Sequence, residues 1–467
     1  MTEPTRPRNT DREGLIAIMQ ASETARSVRQ TIESEGIKTV RVTFVDNSGV
    51  TRARNATAAT FVNHGMEDGI QYPSAMLSVD TAANFVVPAG AGFASGYPSW
   101  VLKPDLSTFV VLPWAPGTAK VLADVYTLDG GRVEVAPRSV LTRVLAALAA
   151  EGYTTHGACE HEFYVFRSFE GGRPQPSWTG SNCYAEVKQH QVDDILTALS
   201  ANLDAIGLGV EEANTEYGPG QFEISAGHFE GLRAADMAVY YKMAVKEIMF
   251  QMGYVATFMS KPLNGHSGSG AHFHHSLYSI ATGRNAFDDP GGAHGLSAVA
   301  RWFIGGELRH ARAICALANP SINSYKRLRP YTFAPSNISW GLENRMTLLR
   351  VPHGRGQGAR LENRLPGADN NPYLMMAAIY AAGLDGIRNK IEPEHFIQGE
   401  DVYARTDLPG LPSSLADALA ALQQDEVLCD LLGRDFVDTY TKLKGSEVAR
   451  YNDYVTDWEV QEYLELF

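Results

Sequence analysis

A glycine-rich segment followed by two histidines one residue apart, at residues 260–276, constrains the fold of this chain more than any other stretch. Because residues i and i+2 of a β-strand point to the same face, His272 and His274 are predicted to project together, with Phe273 and His275 on the opposite face. The glycines before them allow a sharp turn and the close approach of a charged ligand. One imidazole can then bind a metal ion and the other a phosphate, although a solvated strand face shows the same pattern.

Two further segments supply carboxylates in matching positions. Glu160 and Glu162 lie on one face of the predicted strand GACEHEFYVF, where two like charges about 7 Å apart repel each other unless a cation lies between them. An exposed strand face is the alternative interpretation. Glu216 and Glu223 flank a Gly-Pro-Gly turn that brings their chain segments back together. These oxygen donors with one histidine are the ligands that Mg²⁺ or Mn²⁺ prefers.

Composition excludes several classes of protein. A net charge of −13 over 467 residues argues against a nucleic-acid binder. The first fourteen residues are polar and resemble no signal peptide, and no run of eighteen apolar residues follows, so no membrane partner is expected. The four cysteines are widely spaced without a Cys-x-x-Cys motif, which predicts packing residues in a reduced, cytoplasmic protein. They are Cys159, Cys183, Cys315 and Cys429.

The N-terminal part of the chain predicts a small β-rich domain. A helical pattern covers residues 12–36, and alternation from Thr39 continues around a turn at residues 47–49, which predicts a β-hairpin. The Gly- and Pro-rich stretch 65–96 is interpreted as a long functional loop. Further strands are predicted in STFVVLPW and TAKVLADVY, at residues 107–114 and 118–126.

A helix that begins at Pro137 and ends at Gly152 follows. After it, strand and helix patterns alternate. In LRAADMAVYYKMAVKEIMFQM, the Met, Tyr and Ile residues recur at helical spacing, which predicts a helix packed in the core. The sequence therefore predicts an α+β protein with an N-terminal domain at 1–135 and a catalytic domain at 136–467.

The block at residues 319–373 concentrates basic side chains in an otherwise acidic chain. Such guanidinium groups pair either with surface carboxylates or with bound carboxylate and phosphate groups, and their alternation with glycine favours bound anions. The residues of this block are Lys326, Arg327, Arg329, Arg345, Arg350, Arg355, Arg360, Glu362 and Arg364.

Taken together, these blocks resemble the glutamine synthetase family in its class I form. GACEHEF resembles the family's Glu-x-Glu strand, GSGAHFHHS its Gly-rich His-x-His segment, and RLENRLPGADNNPY its Arg-x-Glu-x-Arg segment. The resemblance implies an N-terminal β-grasp domain and a catalytic domain with an antiparallel sheet funnel flanked by helices. It also implies ATP and L-glutamate as substrates, and self-association into hexameric rings or a dodecamer.

Residue by residue, the resemblance implies two sites for Mg²⁺ or Mn²⁺. One lies nearer the glutamate substrate and the other nearer the ATP phosphates. The implied ligands are Glu162, Glu216 and Glu223 for the first ion, and Glu160, His272 and Glu362 for the second.

The same resemblance implies roles for substrate-binding residues. The γ-carboxylate of glutamate becomes an acyl phosphate in this chemistry, so cationic and hydrogen-bonding groups are required around the phosphoryl group. The implied residues are His274 and Arg360 facing the phosphates, Arg345 and Arg350 near the transferred group, Gly268, Arg327 and Arg364 positioning glutamate, and Glu211 and Ser276 on the nucleotide side.

Three departures from the family pattern concern the ammonium site. Phe333 replaces a flap glutamate, Ser267 replaces an asparagine, and Asn214 replaces a histidine; Asp68 is the candidate for the ammonium-site aspartate. Phenylalanine neither attracts NH₄⁺ nor removes its proton. The pattern therefore resembles the γ-glutamyl amine ligases, which use an organic primary amine. An ordinary glutamine synthetase and a non-catalytic ring-forming relative are the alternatives, and the six implied metal ligands argue against the latter.

Overall fold

The computed structural model describes residues 9–86, 93–170 and 173–467, and the chain divides into two compact units. The units interleave along the sequence, because two short segments of the N-terminal part, 45–51 and 73–98, belong to the second unit. The assignment of domains to 1–135 and 136–467 stays a prediction. The first unit consists of Met1–Phe44, Arg52–Tyr72 and Ser99–Arg132, and the second of Val45–Thr51, Pro73–Pro98 and Val133–Phe467.

The first unit contains a six-stranded mixed sheet and a long helix. Its elements are α1 (Asn9–Ser34), β1 (Thr39–Val45), β2 (Thr51–Thr57), α2 (Ala58–Thr60), β3 (Ile70–Pro73), β4 (Ser99–Pro104), β5 (Val110–Val111) and β6 (Thr118–Thr127). The strand order is β2-β1-β6-β4-β3, with β5 also paired to β6. β1 runs parallel to β6, and Val40, Val42 and Val121 of these strands are fully buried.

The predicted N-terminal helix and β-hairpin are confirmed. The turn between β1 and β2 closes because the Asp46 side chain accepts hydrogen bonds from the amides of Ser48 and Val50, both at 2.9 Å. Gly49 follows with a φ of +83°, a conformation that favours glycine. Local turn chemistry was thus a reliable guide to this part of the chain.

Two N-terminal predictions need correction. Of the strand predicted at 107–114 only Val110–Val111 forms, since the Asp105 side chain accepts from the Ser107 amide and starts a 3₁₀ turn over Leu106–Thr108. The stretch 65–96 is not a single loop, because it contains β3 and a 3₁₀ turn at Ser74–Ser78. Its residues 87–92 lie outside the described part of the chain.

The second unit is built on a ten-stranded sheet. Its strands are β7 (Tyr153–Glu170), β8 (Arg173–Pro176), β9 (Val210–Thr215), β10 (Gln221–Ala226), β11 (Phe229–Glu230), β12 (Val255–Thr257), β13 (Ala271–Ser279), β14 (Trp340–Leu342), β15 (Leu349–Val351) and β16 (Leu361–Asn363). The order is β14-β15-β16-β13-β7-β10-β9, and β8, β11 and β12 also pair with β7. The pairs are antiparallel except for β14 with β15.

Helices accompany this sheet and carry much of the core. α9 is the most deeply buried, with no exposed side chain from Pro372 to Gly386, and Tyr240, Tyr241 and Met249 of α6 are also buried. The helices of the second unit are α3 (Pro137–Ala150), α4 (Glu186–His190), α5 (Asp193–Ala205), α6 (Leu232–Gln251), α7 (Ala298–Arg309), α8 (Ala311–Ala318), α9 (Pro372–Asn389), α10 (Leu415–Gln424), α11 (Glu426–Leu432), α12 (Arg434–Asn452) and α13 (Asp457–Tyr463). The predicted α+β fold class and the core role of α6 are confirmed.

Candidate active site

The register of the central strands brings the histidines and two glutamates onto one face of the sheet. β13 lies between β7 and β16, so that His272 is opposite Glu160 and His274 is opposite Glu362. His272 Nδ1 lies 3.6 Å from Glu160 Oε2 and 3.8 Å from Glu362 Oε1. His275 points to the other face, where its Nε2 lies 2.8 Å from Glu307 Oε1. The alternation predicted for this strand is therefore confirmed.

The adjoining strands add three more carboxylates. Glu223 on β10 is directly opposite Glu162 on β7, and Glu216 follows the end of β9. The Glu216 amide donates to the Gln221 carbonyl at 2.8 Å, which closes the predicted turn. The Gln221 side chain in turn donates to Glu162 Oε2 at 3.2 Å. The turn thus holds Glu216 beside the sheet carboxylates.

We call Glu162, Glu216 and Glu223 the carboxylate-rich half of the site. Burial and repulsion from Glu216 raise the pKa of Glu162 to about 7. Burial and repulsion from Glu162 also raise the pKa of Glu223 well above its usual value, and burial raises the pKa of Glu216. Like charges held together in a low-dielectric environment favour protonation or a bound cation.

We call Glu160, His272, His274 and Glu362 the cation-paired half. Burial opposes ionisation of Glu160, but the two histidines hold the pKa of this carboxyl well below its usual range. Burial likewise opposes ionisation of Glu362, but Arg364 and the histidines lower its pKa to about 2. Burial and Arg364 lower the pKa of His272 to about 4, which leaves this imidazole neutral and able to bind a metal ion.

The donor groups fit divalent cations. Among the described residues, Glu160, Glu223 and His272 place their ligand atoms within 4.8 Å of one another, a group that combines ligands implied for the two different ions. Glu160, His274 and Glu362 lie equally close, but the hydrogen bond from Arg360 disfavours His274 as a metal ligand. Carboxylate oxygens with a single imidazole suit Mg²⁺ or Mn²⁺. The excess negative charge of the carboxylate-rich half is a second reason that cations fit this site.

His274 is better suited to an anion than to a metal ion. Arg360 Nε donates to His274 Nδ1 at 3.1 Å, so this ring nitrogen is an acceptor and the proton lies on Nε2. Nε2 lies 2.9 Å from Glu160 Oε1. A protonated Nε2 beside a guanidinium group can donate to a phosphate oxygen, as the resemblance implies, but has no free lone pair for a metal ion.

Two of the arginines predicted to face anions make ion pairs with the same glutamate. Arg350 Nη1 donates to Glu362 Oε2 at 2.6 Å and its Nη2 donates to Glu343 at 2.8 Å. Arg364 also donates to Glu362. Arg345 is exposed. The side chain of Glu362 therefore lies between two guanidinium groups.

Gly268 and Arg327 form a tightly packed corner. Arg327 is buried, and it donates to the carbonyls of Leu365 and Arg364 at 3.0 and 3.1 Å. Burial lowers the pKa of this guanidinium to about 10. A Cβ atom at Gly268 would lie 2.7 Å from the Ser260 carbonyl oxygen and 2.8 Å from Arg327 Cγ, so no larger residue fits without displacement.

The remaining predicted residues are more dispersed. Ser276 is buried on β13 opposite His156, whereas Glu211 is exposed at a β-bulge of β9. Asp68 belongs to the first unit, where it is exposed and lies 3.8 Å from His64. Arg355 differs from the prediction that this block faces bound anions, because it donates to the backbone carbonyls of Pro352, Gly354 and His294.

The positions that depart from the family pattern lie around the carboxylate-rich half. Asn214 is opposite Glu223, and Ser267 donates to the Gln221 side chain, as does Gly218 at 2.9 Å. Phe333 is half exposed, and its ring centroid lies 5.8 Å from that of Tyr217 in a stacked arrangement with an interplanar angle of 26°.

Sequence reasoning missed Tyr217 and misinterpreted Cys183. Cys183 is not a core residue; it is only partly buried, and its thiol donates to Glu216 Oε2 at 3.6 Å. Tyr217 directly follows the metal-ligand candidate Glu216, and its amide donates to Glu216 Oε2 at 3.2 Å. Adjacency to Glu216 was the only clue to Tyr217, since an aromatic residue at a turn has no characteristic motif.

A family model described as the glutamine synthetase catalytic domain matches residues 134–463. The chain belongs to the glutamine synthetase family. Members of this family are ATP-dependent carbon–nitrogen ligases that use divalent Mg²⁺ or Mn²⁺, and this chain is an enzyme of that class. Among the described residues, no helix combines the length and apolar character needed to span a bilayer.

Similar proteins align over nearly the whole chain. A glutamine synthetase of Thermotoga maritima is 37% identical over 455 residues, covering 95% of this chain and 100% of that protein. A glutamate–isopropylamine ligase of Pseudomonas sp is 36% identical over 448 residues, covering 94% and 97%. A solved structure described as a GmaS/ADP complex superposes with a TM-score of 0.84 at 31% identity, covering 94% of this chain and 99% of that chain. Sequence identity alone does not distinguish the two activities named for these relatives.

Proposed function

We propose that this ligase forms a γ-glutamyl amide from L-glutamate and an organic primary amine, and that it converts ATP to ADP and phosphate in the same reaction. The observation that carries this proposal is Phe333, an aromatic ring at the flap position where ammonia-using members have a glutamate. Ammonium is a small hydrated cation that needs carboxylates to replace its water. An organic amine gains about 25 cal/mol for each Å² of apolar surface that it buries against a ring.

The site residues support a two-step reaction. In the first step an oxygen of the glutamate γ-carboxylate attacks the terminal phosphorus of ATP, and the bond from that phosphorus to the bridging oxygen breaks to release ADP. In the second step the amine nitrogen attacks the acyl carbon, the bond to phosphate breaks, and the amine loses a proton. His274 and Arg360 are suited to bind phosphate oxygens. The resemblance alone assigns the orientation of glutamate to Arg364 and Arg327, since both terminal nitrogens of Arg327 already donate to backbone carbonyls.

Divalent ions would neutralise phosphate oxygens in this chemistry and orient them for in-line transfer. The carboxylate-rich half would hold one ion, and Glu160, His272 and Glu362 would hold another. We also propose, from the resemblance alone, that the chain assembles into hexameric rings or a dodecamer.

Glutamine formation from ammonia is the second candidate. It is favoured by relatives named glutamine synthetase at an identity similar to that of the amine ligase. An ammonium ion in the carboxylate-rich half would relieve the repulsion among its carboxylates. The replacements at Phe333, Ser267 and Asn214 favour the amine.

The test compares acceptors under identical conditions. Phosphate release and product mass are measured with ATP, glutamate, Mg²⁺ or Mn²⁺, and each of ammonium, methylamine, isopropylamine, ethanolamine, putrescine, aniline and benzylamine. We expect a γ-glutamyl amide with at least one organic amine and little glutamine. Glutamine formation at a rate that matches or exceeds that with every amine would overturn the proposal in favour of an ordinary glutamine synthetase.

A further inference from the structure

We propose that Tyr217 and Phe333 together form the acceptor wall, and that this wall selects a primary amine with an uncharged, bulky hydrocarbon group. This inference rests on the proposed function and extends it by a second residue and a narrower substrate class. The two rings are stacked at 5.8 Å, and each is half exposed.

The position of Tyr217 is set by the carboxylate-rich half. It directly follows Glu216, and its backbone amide donates to the Glu216 side chain at 3.2 Å. Glu216 in turn lies close enough to Glu162 and Glu223 to raise their pKa values. The aromatic pair therefore borders the same acidic cluster that the proposed chemistry uses.

The position of Phe333 is set by a strained turn. Both Tyr331 and Phe333 adopt left-handed backbone conformations, with φ values of +60° and +59°. Such conformations are costly for aromatic residues and persist where neighbouring contacts enforce them, often at ligand-binding sites. Here the Thr332 hydroxyl donates to the Arg329 carbonyl at 2.6 Å, and the Tyr403 hydroxyl donates to the Ala334 carbonyl at 3.0 Å.

This strained turn is also hydrogen-bonded to Arg327, one of the residues predicted to position glutamate. The Thr332 hydroxyl lies 3.3 Å from the Arg327 carbonyl, which it can also reach as a donor. The Phe333 ring is thus connected through a short, hydrogen-bonded segment to the residue expected to orient glutamate. A wall fixed at both sides, by Glu216 and by Arg327, can place an amine near the acyl group of glutamate.

The stacked geometry favours hydrocarbon over a second ammonium group. Aromatic faces carry partial negative charge and aromatic edges partial positive charge. In a nearly parallel pair each ring turns one face toward its neighbour, so only one face of each ring remains for a cation. A distal ammonium would lose hydration there with only a weak cation–π attraction, whereas an isopropyl or phenyl group only buries apolar surface.

The experiment measures kcat and KM for methylamine, isopropylamine, n-butylamine, putrescine and benzylamine in wild type, Tyr217→Ala, Tyr217→Phe, Phe333→Leu and the double variant Tyr217→Ala/Phe333→Leu. We expect Tyr217→Ala to raise the KM for benzylamine on the order of tenfold and that for methylamine less than about threefold. The ratio of the benzylamine KM to the methylamine KM should rise in Tyr217→Ala and stay near the wild-type ratio in Tyr217→Phe, because the second variant keeps the ring. The double variant should lose less than the product of the two single effects, since the rings act together.

Tyr454→Ala is the matched control, because Tyr454 is an exposed aromatic residue outside the acceptor wall and outside the turn that holds Phe333. It should leave the amine KM values unchanged. Equal losses for every amine regardless of size, or unchanged KM values in Tyr217→Ala, would overturn this inference while leaving the proposed function intact. A greater increase in KM for putrescine than for n-butylamine would mean that the wall binds a cation rather than hydrocarbon, which would also overturn this inference. Wild-type protein that uses ammonium alone would instead contradict the proposed function.

Discussion

The two halves of the candidate site contain the same residue type in opposite electrostatic states. Glu362 in the cation-paired half has two guanidinium partners and a pKa of about 2, whereas Glu162 in the carboxylate-rich half has carboxylate neighbours and a pKa raised to about 7. Both carboxyls lie on one sheet, with the Glu362 side chain fully buried and the Glu162 side chain 14% exposed. The difference shows that the charge of Glu362 is balanced by guanidinium groups of the protein itself, whereas Glu162 needs a proton or a bound cation.

The largest effect is expected when a carboxylate of the carboxylate-rich half is removed. Glu162→Ala or Glu216→Ala should abolish product formation, with a loss on the order of 10³ or more, because each removes an anionic ligand from a site for a divalent cation. The oligomeric state, measured by size-exclusion chromatography with light scattering, should be unchanged. Turnover near the wild-type level in either variant would refute the metal assignment.

A second test concerns the guanidinium that neutralises Glu362. Arg364→Lys keeps the positive charge but loses the paired N–H donors that can bind both Glu362 and a substrate carboxylate. We expect a loss on the order of 10²–10³ in kcat/KM for glutamate, or roughly 3–4 kcal/mol of transition-state stabilisation. Retained activity toward glutamate would show that Arg364 has only a structural role.

In the metal-free protein, the same substitution should change the free energy of unfolding differently in the two halves of the site. Glu362→Gln leaves Arg350 and Arg364 without their buried anionic partner and should cost about 3 kcal/mol in the free energy of unfolding. Glu162→Gln relieves repulsion and should leave the metal-free protein at least as stable as wild type. The measurement is urea unfolding in the presence of a chelator, and equal destabilisation by both variants would contradict the comparison.

Phe333→Glu adds a further carboxylate at the edge of the carboxylate-rich half. We expect kcat/KM for the preferred organic amine to fall about tenfold, because apolar contact is replaced by a hydrated charge. Phosphoryl transfer to glutamate, followed as amine-independent ADP release, should change less. Phe333→Leu is the control that keeps an apolar side chain, and an equal loss in both processes would show general damage to the site.

The smallest effect is expected at His310, a histidine that is paired with two aspartates and belongs to no proposed metal site. Its ring nitrogens lie 2.6 Å from Asp425 and 3.0 Å from Asp385. Burial opposes protonation, but the two aspartates raise the pKa of His310 above its usual value of about 6.5.

A histidine with a raised folded-state pKa contributes stability that is complete below about pH 6.5 and is lost as the pH rises through the folded-state value. His310→Gln should therefore destabilise the protein more at about pH 5.5 than at about pH 9. Urea unfolding of wild type and variant at both pH values measures this difference. A difference that is independent of pH would mean that His310 is neutral in the folded protein.

Sequence reasoning was most successful where the chemistry is local. The side-chain alternation around His272 follows from strand geometry, and the turn after β1 follows from the Asp46 and Gly49 residue types. The strand predicted at 107–114 did not form over its full length, because the Asp105 side chain caps a 3₁₀ turn over its first residues. Sequence reasoning also failed for Cys183, because nothing in the spacing of a single cysteine indicates a carboxylate neighbour.

The sequence by itself determined the residue types of the site and the faces on which they lie, because the two-residue period of a strand assigns each side chain to a face. Which carboxylate is neutralised and which is not was decided only by the tertiary structure. Glu160 and Glu162 are two residues apart on β7, yet the neighbouring strands place histidines beside the first and Glu223 opposite the second. Strand register is a long-range property set by core packing and turns, and electrostatic energy depends on the distances that register creates.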